Sequence, residues 1–382
     1  MTTAGRSTPP RRAGHEGTRP GGRSVRVMQV MAGARHGGAE AFFERLVPAL
    51  SRAGLDQHAA IRTHPARAGK LSAAGVPIAQ FRFGSPLDLA TGLGLWRLAR
   101  RFRPDIVMTW MNRATRFCPP GRFLRIARLG GYYDPKYYRS CDHLVANTED
   151  IAAHLRDAGF APDRVHVLPN FVDATPADPV SRRSLHTPAD APVVLAMGRL
   201  HANKGFDTLI RAMARLPAAY LWLAGAGPER EALVRQAEGL AVKHRIRFLG
   251  WRDDIPALLR AADMLACPSR HEPLGNVVLE AWAHGVPVVA AASQGPRALI
   301  TDGVDGLPVP VDDADALAGA IRLVLEDAAL AGRLAAAGQG VYRAKFSEAA
   351  VVRAYLELFH RLIAGPATAT LRPLKTDATP HP

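Results

Sequence analysis

The chain has 382 residues, with 49 Lys and Arg against 34 Asp and Glu, a formal charge of +15, and 48% hydrophobic content. That length exceeds what one hydrophobic core usually supports, so two globular domains are expected. Three scattered cysteines (Cys118, Cys141, Cys267) suit neither a disulfide framework nor a zinc site, and no apolar run approaches the roughly 20 residues that span a bilayer; a reducing cytoplasm is the expected compartment.

Residues 1–23 are basic, lack the apolar core of a secretory signal, and read as a disordered arm. From Val25, short apolar runs alternate with helical patterns. VRVMQVMA is followed by AEAFFERLVPALSRAG and QHAAIRT, LGLWRLARRFRPD leads into IVMTW, and HLVANTE precedes DIAAHLRDAG and VHVLPNFV. Such alternation is the signature of βαβ units on a parallel sheet, and it places a first Rossmann-like domain at 24–173. Between Arg97 and Arg139, eleven Lys or Arg stand against only Asp105 and Asp134. Trp96, Trp110, Phe117, Phe123, Tyr132, Tyr133, Tyr137 and Tyr138 are interleaved with them. Arginine mixed with aromatic side chains suits peripheral contact with an anionic membrane; the same mixture could be core aromatics beneath a solvated face.

The stretch 174–190 (ATPADPVSRRSLHTPAD) breaks the rhythm and reads as a linker. Alternation resumes with VVLAMG, LIRAMARL, AYLWLAG, a helix opened by Pro228, IRFLG, MLACPS, VPVVAA, LPVPV and DADALAGAIRLVLED, giving a second Rossmann-like domain at 191–345. A closing helix follows at 346–364, with Ser347 as N-cap and Val351, Val352, Tyr355, Leu358 and Phe359 on its apolar face. The Pro- and Thr-containing tail, 365–382, reads as disordered. The fold class is α/β, two doubly wound domains, with ligands expected at the carboxyl ends of the strands.

The second domain carries the chemistry. GRLHANKG places Gly198, Arg199 and Lys204 after the strand VVLAM, where two cations can neutralise a diphosphate, or can be ordinary solvated surface charges. AGAGPE combines a glycine turn with a helix start and is mostly structural. In SRHEPLGNVVLEAWAHGVPVVA, Gly275 and Asn276 open a helix whose backbone N–H groups form an anion site. Glu272 and Glu280 would flank that anion. Buried carboxylates need donors or a cation, so two beside an anion site imply a polyol ligand.

GRLHANKG, AGAGPE and the pair Glu272–Glu280 resemble the donor site of retaining glycosyltransferases of family 4, which have the GT-B fold of two domains facing across a cleft. GGAE (Gly37 to Glu40) and KFSEAAVVRAYLELF are similar to further segments of that family. The resemblance spans about residues 25 to 362. It implies that Arg199 and Lys204 hold the donor diphosphate, Glu272 contacts the transferred sugar and Glu280 the ribose. Gly37, Gly38, Gly198, Gly275 and Asn276 would complete the donor cradle. It also implies a UDP- or GDP-sugar donor, a glycan or glycolipid acceptor such as a lipopolysaccharide core, retention of anomeric configuration, and no metal or other cofactor. The family often places a histidine after the strand equivalent to VMTW; here MNRATR puts Asn112 and Arg113 in that neighbourhood, as acceptor candidates. Many members also carry an acidic residue where GPRALI has Ala298. His36 is a further acceptor-side candidate. The expected location is cytoplasmic, on the inner face of the plasma membrane.

Two rival readings stand beside this one. The same fold could serve a phosphorylase or a nucleotide-sugar epimerase, and the sequence pI near 10.5 would permit nucleic-acid binding. No helix-turn-helix, zinc finger or RNA-recognition motif is present, so no nucleic-acid partner is expected.

Overall fold

The computed structural model describes residues 24–34, 37–84 and 88–364. The arm 1–23, the tail 365–382 and His36 lie outside the described residues. Seven strands, β1 (Arg26–Met31), β2 (Asp56–Arg62), β3 (Ile78–Phe81), β4 (Ile106–Trp110), β5 (Leu124–Leu129), β6 (His143–Ala146) and β7 (Val165–Val167), form the first sheet. Six more, β8 (Val193–Met197), β9 (Tyr220–Ala224), β10 (Ile246–Gly250), β11 (Met264–Cys267), β12 (Val288–Ala291) and β13 (Leu307–Val309), form the second. Every pairing is parallel. Strands β4 and β8 are buried along their whole length, because helices cover both faces of a parallel sheet and demand continuous apolar runs.

The strand orders are β3-β2-β1-β4-β5-β6-β7 and β10-β9-β8-β11-β12-β13. Each sheet therefore reverses its winding once, beside its first strand. At such a switch point the loops on either side diverge and leave a crevice at the carboxyl edge, where ligands bind in doubly wound sheets.

Three details differ from or add to the sequence reading. The helix expected to open at Pro228 runs over Arg230–Gly239, because Pro228 and Glu229 form a turn ahead of it. The linker 174–190 is packed along the second sheet's elements. Arg182 bonds to the carbonyls of Ala261 at 3.0 Å and Ala191 at 2.8 Å and pairs with Asp263, while Val180 and Leu185 pack on the second core. A helix with no counterpart in the sequence reading, Ala328–Val341, lies against Trp282, whose ring leaves no room for a Cβ at Gly338.

The last helix, Glu348–Ala364, starts at Ser347, whose hydroxyl accepts from the Ala350 N–H at 3.3 Å. Its apolar face packs not on the second domain but into the first core, among Phe42, Phe43, Leu46 and Leu50 of the helix Gly38–Arg52. The Tyr355 hydroxyl accepts from Arg128 Nε of β5 at 3.3 Å. Arg128 is buried, stacks on Phe42 and Trp110, and donates to Asn170. The chain thus leaves the first domain at Asp173, builds the second and returns. Phe359→Ala should cost about 3–5 kcal/mol by emptying a buried aromatic site, read from denaturant unfolding. A loss below about 1 kcal/mol would show that this helix is not part of the first core.

Candidate active site

The second-domain switch point is built from the loop after β8 and the loop after β11. Gly198, at φ 144°, turns the chain out of β8. Two glycines of the neighbouring loop allow a close approach: a Cβ at Gly225 would meet the Gly198 carbonyl at 1.8 Å, and one at Gly227 the Leu200 carbonyl at 2.3 Å. Side chains there would push the Arg199 segment away. Gly205, at φ 64°, lies against the Pro268 carbonyl, which presses the two switch-point loops together.

Arg270 fastens them. Its guanidinium takes both oxygens of Asp207 at 2.7 and 2.6 Å, Asp312 at 2.7 Å and the Ala202 carbonyl at 2.6 Å. The Arg270 and His271 amides donate to the Asn203 carbonyl. Such a bidentate, multiply satisfied guanidinium fixes geometry where lysine could not. The result brings Lys204 Nζ onto Glu272 Oε2 as an ion pair. Glu272 is buried, and its other oxygen accepts from the Gly275 N–H at 3.3 Å. This corrects one expectation: the Gly275 amide, read as open to an external anion, is engaged by Glu272 itself.

The helix Asn276–Ala283 follows, with Gly275 in the left-handed region at φ 78°. Glu280 is half-buried one turn in. Burial pushes its carboxyl up to about 7, with Arg45 opposing and Glu272 and Asp173 adding repulsion. Arg45 belongs to the helix Gly38–Arg52, so the first domain acts on this carboxylate. Three buried polar atoms close by, Asn276 Oδ1, Ser293 Oγ and Gln294 Oε1, have no hydrogen-bond partner among the described residues. Buried polar atoms are normally satisfied, so a cluster of exceptions beside two glutamates marks a surface made for polar contact. Gly295 holds these residues in place: its amide donates to the Glu272 carbonyl at 2.7 Å, and a Cβ there would strike the backbone of residues 272–275.

The first-domain switch point carries a second crevice, a cavity of 660 Å³ at the ends of β1, β2 and β4. Ala32, Gly33, Glu40, Arg62, Asn112, Arg113, Arg116, Tyr133 and Tyr137 are among its walls. Glu40 folds back onto the loop, accepting from the Ala34 N–H at 2.7 Å. A Cβ at Gly37 would collide with its carboxylate, whereas one at Gly38 would meet open space. Asn112 Oδ1 accepts from the Tyr138 hydroxyl at 2.6 Å.

The structure therefore gathers Gly198, Lys204, Glu272, Gly275, Asn276 and Glu280 at one switch point, with Arg199 exposed on the same loop. Gly37, Gly38, Asn112 and Arg113 belong to the first domain, the last two on the cavity wall. Sequence reasoning missed Arg270, Gly295, Ser293, Gln294 and Arg45. Among the described residues no group of three or more His, Cys, Asp or Glu is placed to hold a metal ion.

Two parallel-sheet domains, each with a polar crevice at its switch point, define a GT-B glycosyltransferase architecture. The model for Glycosyltransferase Family 4 matches residues 36–175, and that for Glycosyl transferases group 1 matches 178–341. The chain is 43% identical over 330 residues to the lipopolysaccharide core biosynthesis glycosyltransferase LpsE of Rhizobium meliloti (strain 1021), covering 85% of this chain and 96% of the relative. It is 42% identical over 346 residues to LpsD of the same organism, covering 89% and 99%. Anabaena Alr3699/HepE, solved with UDP-glucose, superposes with a TM-score of 0.75 at 22% identity over 88% of this chain and 99% of that one. The chain belongs to glycosyltransferase family 4, and it is a glycosyltransferase.

The raised Glu280 carboxyl has a measurable consequence. The folded state binds a proton there between about 4.5 and 7 that the unfolded chain has released, so this group's contribution to stability falls as pH rises through that window. Glu280→Gln should match wild type near pH 5 and exceed it near pH 8 by on the order of 2 kcal/mol. A difference independent of pH would mean that Glu280 does not titrate there.

Proposed function

We propose that the chain moves a sugar from a nucleoside-diphosphate sugar, with UDP favoured over GDP, onto the lipopolysaccharide core or a related cell-envelope glycan, with retention of anomeric configuration. One observation carries the donor assignment: three unpartnered buried polar atoms belong to segments joined to the two glutamates, Asn276 opening the helix of Glu280 and Ser293 and Gln294 preceding Gly295, whose amide bonds the Glu272 carbonyl. The names of LpsE and LpsD support the acceptor class, and the UDP-glucose bound by HepE supports the nucleotide.

In this reading the donor diphosphate competes with Glu272 for Lys204. As the phosphates draw Lys204 and Arg199, the Glu272 carboxylate is freed to accept hydrogen bonds from the sugar hydroxyls, and Glu280 accepts from the ribose diol. Charge building on the departing diphosphate is met by the two cations and the N-terminus of the helix Asn276–Ala283, a preorganised electrostatic role that needs no metal. The acceptor hydroxyl attacks on the face the diphosphate leaves, and a phosphate oxygen takes its proton. Gly37 and Gly38 would approach the phosphates from the facing domain.

The acceptor side fits a membrane-borne glycan. Along the helix Leu89–Phe102, Leu89, Leu93 and Trp96 are 82%, 46% and 36% exposed at one-turn spacing, and the Arg100 guanidinium covers the Trp96 ring. The groove beside them includes Phe117, Pro119 and Arg116, and Arg116 also lines the first-domain cavity. The structure divides the interleaved aromatics: Trp110 and Tyr138 are core, whereas Trp96 and Tyr132 are exposed. No described helix is long and apolar enough to cross a membrane. We place this face on the anionic cytoplasmic leaflet.

Thermal unfolding with UDP-, GDP-, ADP- and CDP-sugars tests the donor site. A UDP-sugar at about 100 times its dissociation constant should stabilise the protein by about 2.7 kcal/mol, and Glu280→Ala should lose most of that shift. Cooperative melting with no shift from any donor would refute the assignment. Release of nucleoside diphosphate only when acceptor is present excludes the phosphorylase and epimerase readings. For the membrane face, sedimentation with phosphatidylglycerol vesicles should capture the protein at low salt. Leu89→Glu with Leu93→Glu should reduce capture about tenfold or more, and equal capture of variant and wild type would remove this face from the account.

A further inference from the structure

We infer that the first-domain cavity recognises an anionic substituent on the acceptor glycan, a phosphate or a sugar carboxylate, through Arg62, Arg113 and Arg116. The inference rests on the glycosyltransferase reading and adds to it a charge requirement on the acceptor. The cavity stands at the β1/β4 switch point, and its 660 Å³ lies within the range of small-ligand sites.

Its charge balance is one-sided. Several arginines elsewhere are paired, Arg67 with Glu44, Arg182 with Asp263, Arg252 with Asp254, and Arg270 with Asp207 and Asp312. Arg62 ends β2, and Arg113 and Arg116 lie one turn apart on the short helix Met111–Arg116. None of the three forms an ion pair with a described residue, and all three are exposed at the cavity. The carboxylate among the cavity walls, Glu40, is buried and committed to the Ala34 amide. Three like charges gathered at one mouth repel one another unless an anion joins them, and a guanidinium matches phosphate or carboxylate geometry by paired N–H donors.

The backbone holds the arginines there at a conformational cost. Met111 adopts φ 62°, a left-handed state that side-chain-bearing residues avoid, at the exit of β4. Thr115 bonds back to the Met111 carbonyl at 3.0 Å and to Thr109, and Asn112 is tied to Tyr138. The turn is thus fixed with Arg113 and Arg116 on the cavity side. Tyr133 and Tyr137 also line the cavity, where aromatic rings suit the adjoining sugar.

The experiment uses the full chain and lipid-free lipopolysaccharide core oligosaccharide in three forms: native, dephosphorylated, and carboxyl-reduced. Binding is read by calorimetry without donor. Native oligosaccharide should bind at least tenfold more tightly than one of the two treated forms, which identifies the anion as phosphate or carboxylate. Arg62→Gln/Arg113→Gln/Arg116→Gln should bind native material as weakly as the treated form, while retaining the wild-type melting temperature and the UDP-induced shift. Equal binding of all three forms, undiminished binding by the triple variant, or no binding of any form while UDP still stabilises the protein would each overturn the inference. Loss of the UDP shift in wild type would instead sink the donor reading, and anion-dependent glycan binding would stand without it.

Discussion

A sheet in which all strands run the same way delivers every strand-to-helix loop to one edge. Both halves of this chain obey that constraint, and each has one point where the winding reverses and the loops part. The consequence is one ligand edge per sheet, and polar groups left over by the fold stand at both. In the second domain these include Asn276, Ser293 and Gln294; in the first, Arg62, Arg113 and Arg116 line the cavity.

The two crevices are opposite in design. In the second-domain site most charge is met internally, with Lys204 on Glu272 and Arg270 shared by Asp207 and Asp312, while Arg199 stands exposed on the same loop. An incoming diphosphate must displace a carboxylate from a lysine, so part of the attraction is already satisfied, and water-like polar contacts at Asn276, Ser293 and Gln294 become decisive. The first-domain cavity is left with a surplus of positive charge. A donor that carries its own diphosphate and an acceptor that carries its own anion would each meet the charge they lack. Arg45, on a first-domain helix, is one group through whose charge that domain's position can alter the electrostatics at Glu280.

Much of this was legible in the sequence for a physical reason. Strands buried on both faces must be continuous apolar runs, so VVLAM and IVMTW announced themselves, and residues just after them had to lie at the ligand edge. That reasoning located Arg199, Lys204, Glu272 and Glu280 without coordinates. Pattern alone was silent on what a face packs against. The apolar stripe of the helix Glu348–Ala364 was readable, but its return to the first core was not. Nor could spacing show that Arg270 rather than Arg199 would fasten the loops, since both are arginines in glycine- and proline-flanked turns. The Gly275 amide looked open because its partner, Glu272, lies three residues earlier and closes on it only through the turn that Pro273 and Gly295 impose. Aromatics between Arg97 and Arg139 could not be sorted into core and surface until the sheet gave them an inside.

The central claim is that the loops after β8 and β11 form one donor site, primed by the Lys204–Glu272 pair. Amide hydrogen exchange with and without saturating UDP measures this most directly, because protection maps onto named backbone segments. The account predicts slowed exchange in 198–205 and 272–280 and in the segment 293–295 beneath them, with little change along the helix Leu89–Phe102. Protection confined to the first-domain cavity, or none at all under conditions where UDP is bound, would contradict it.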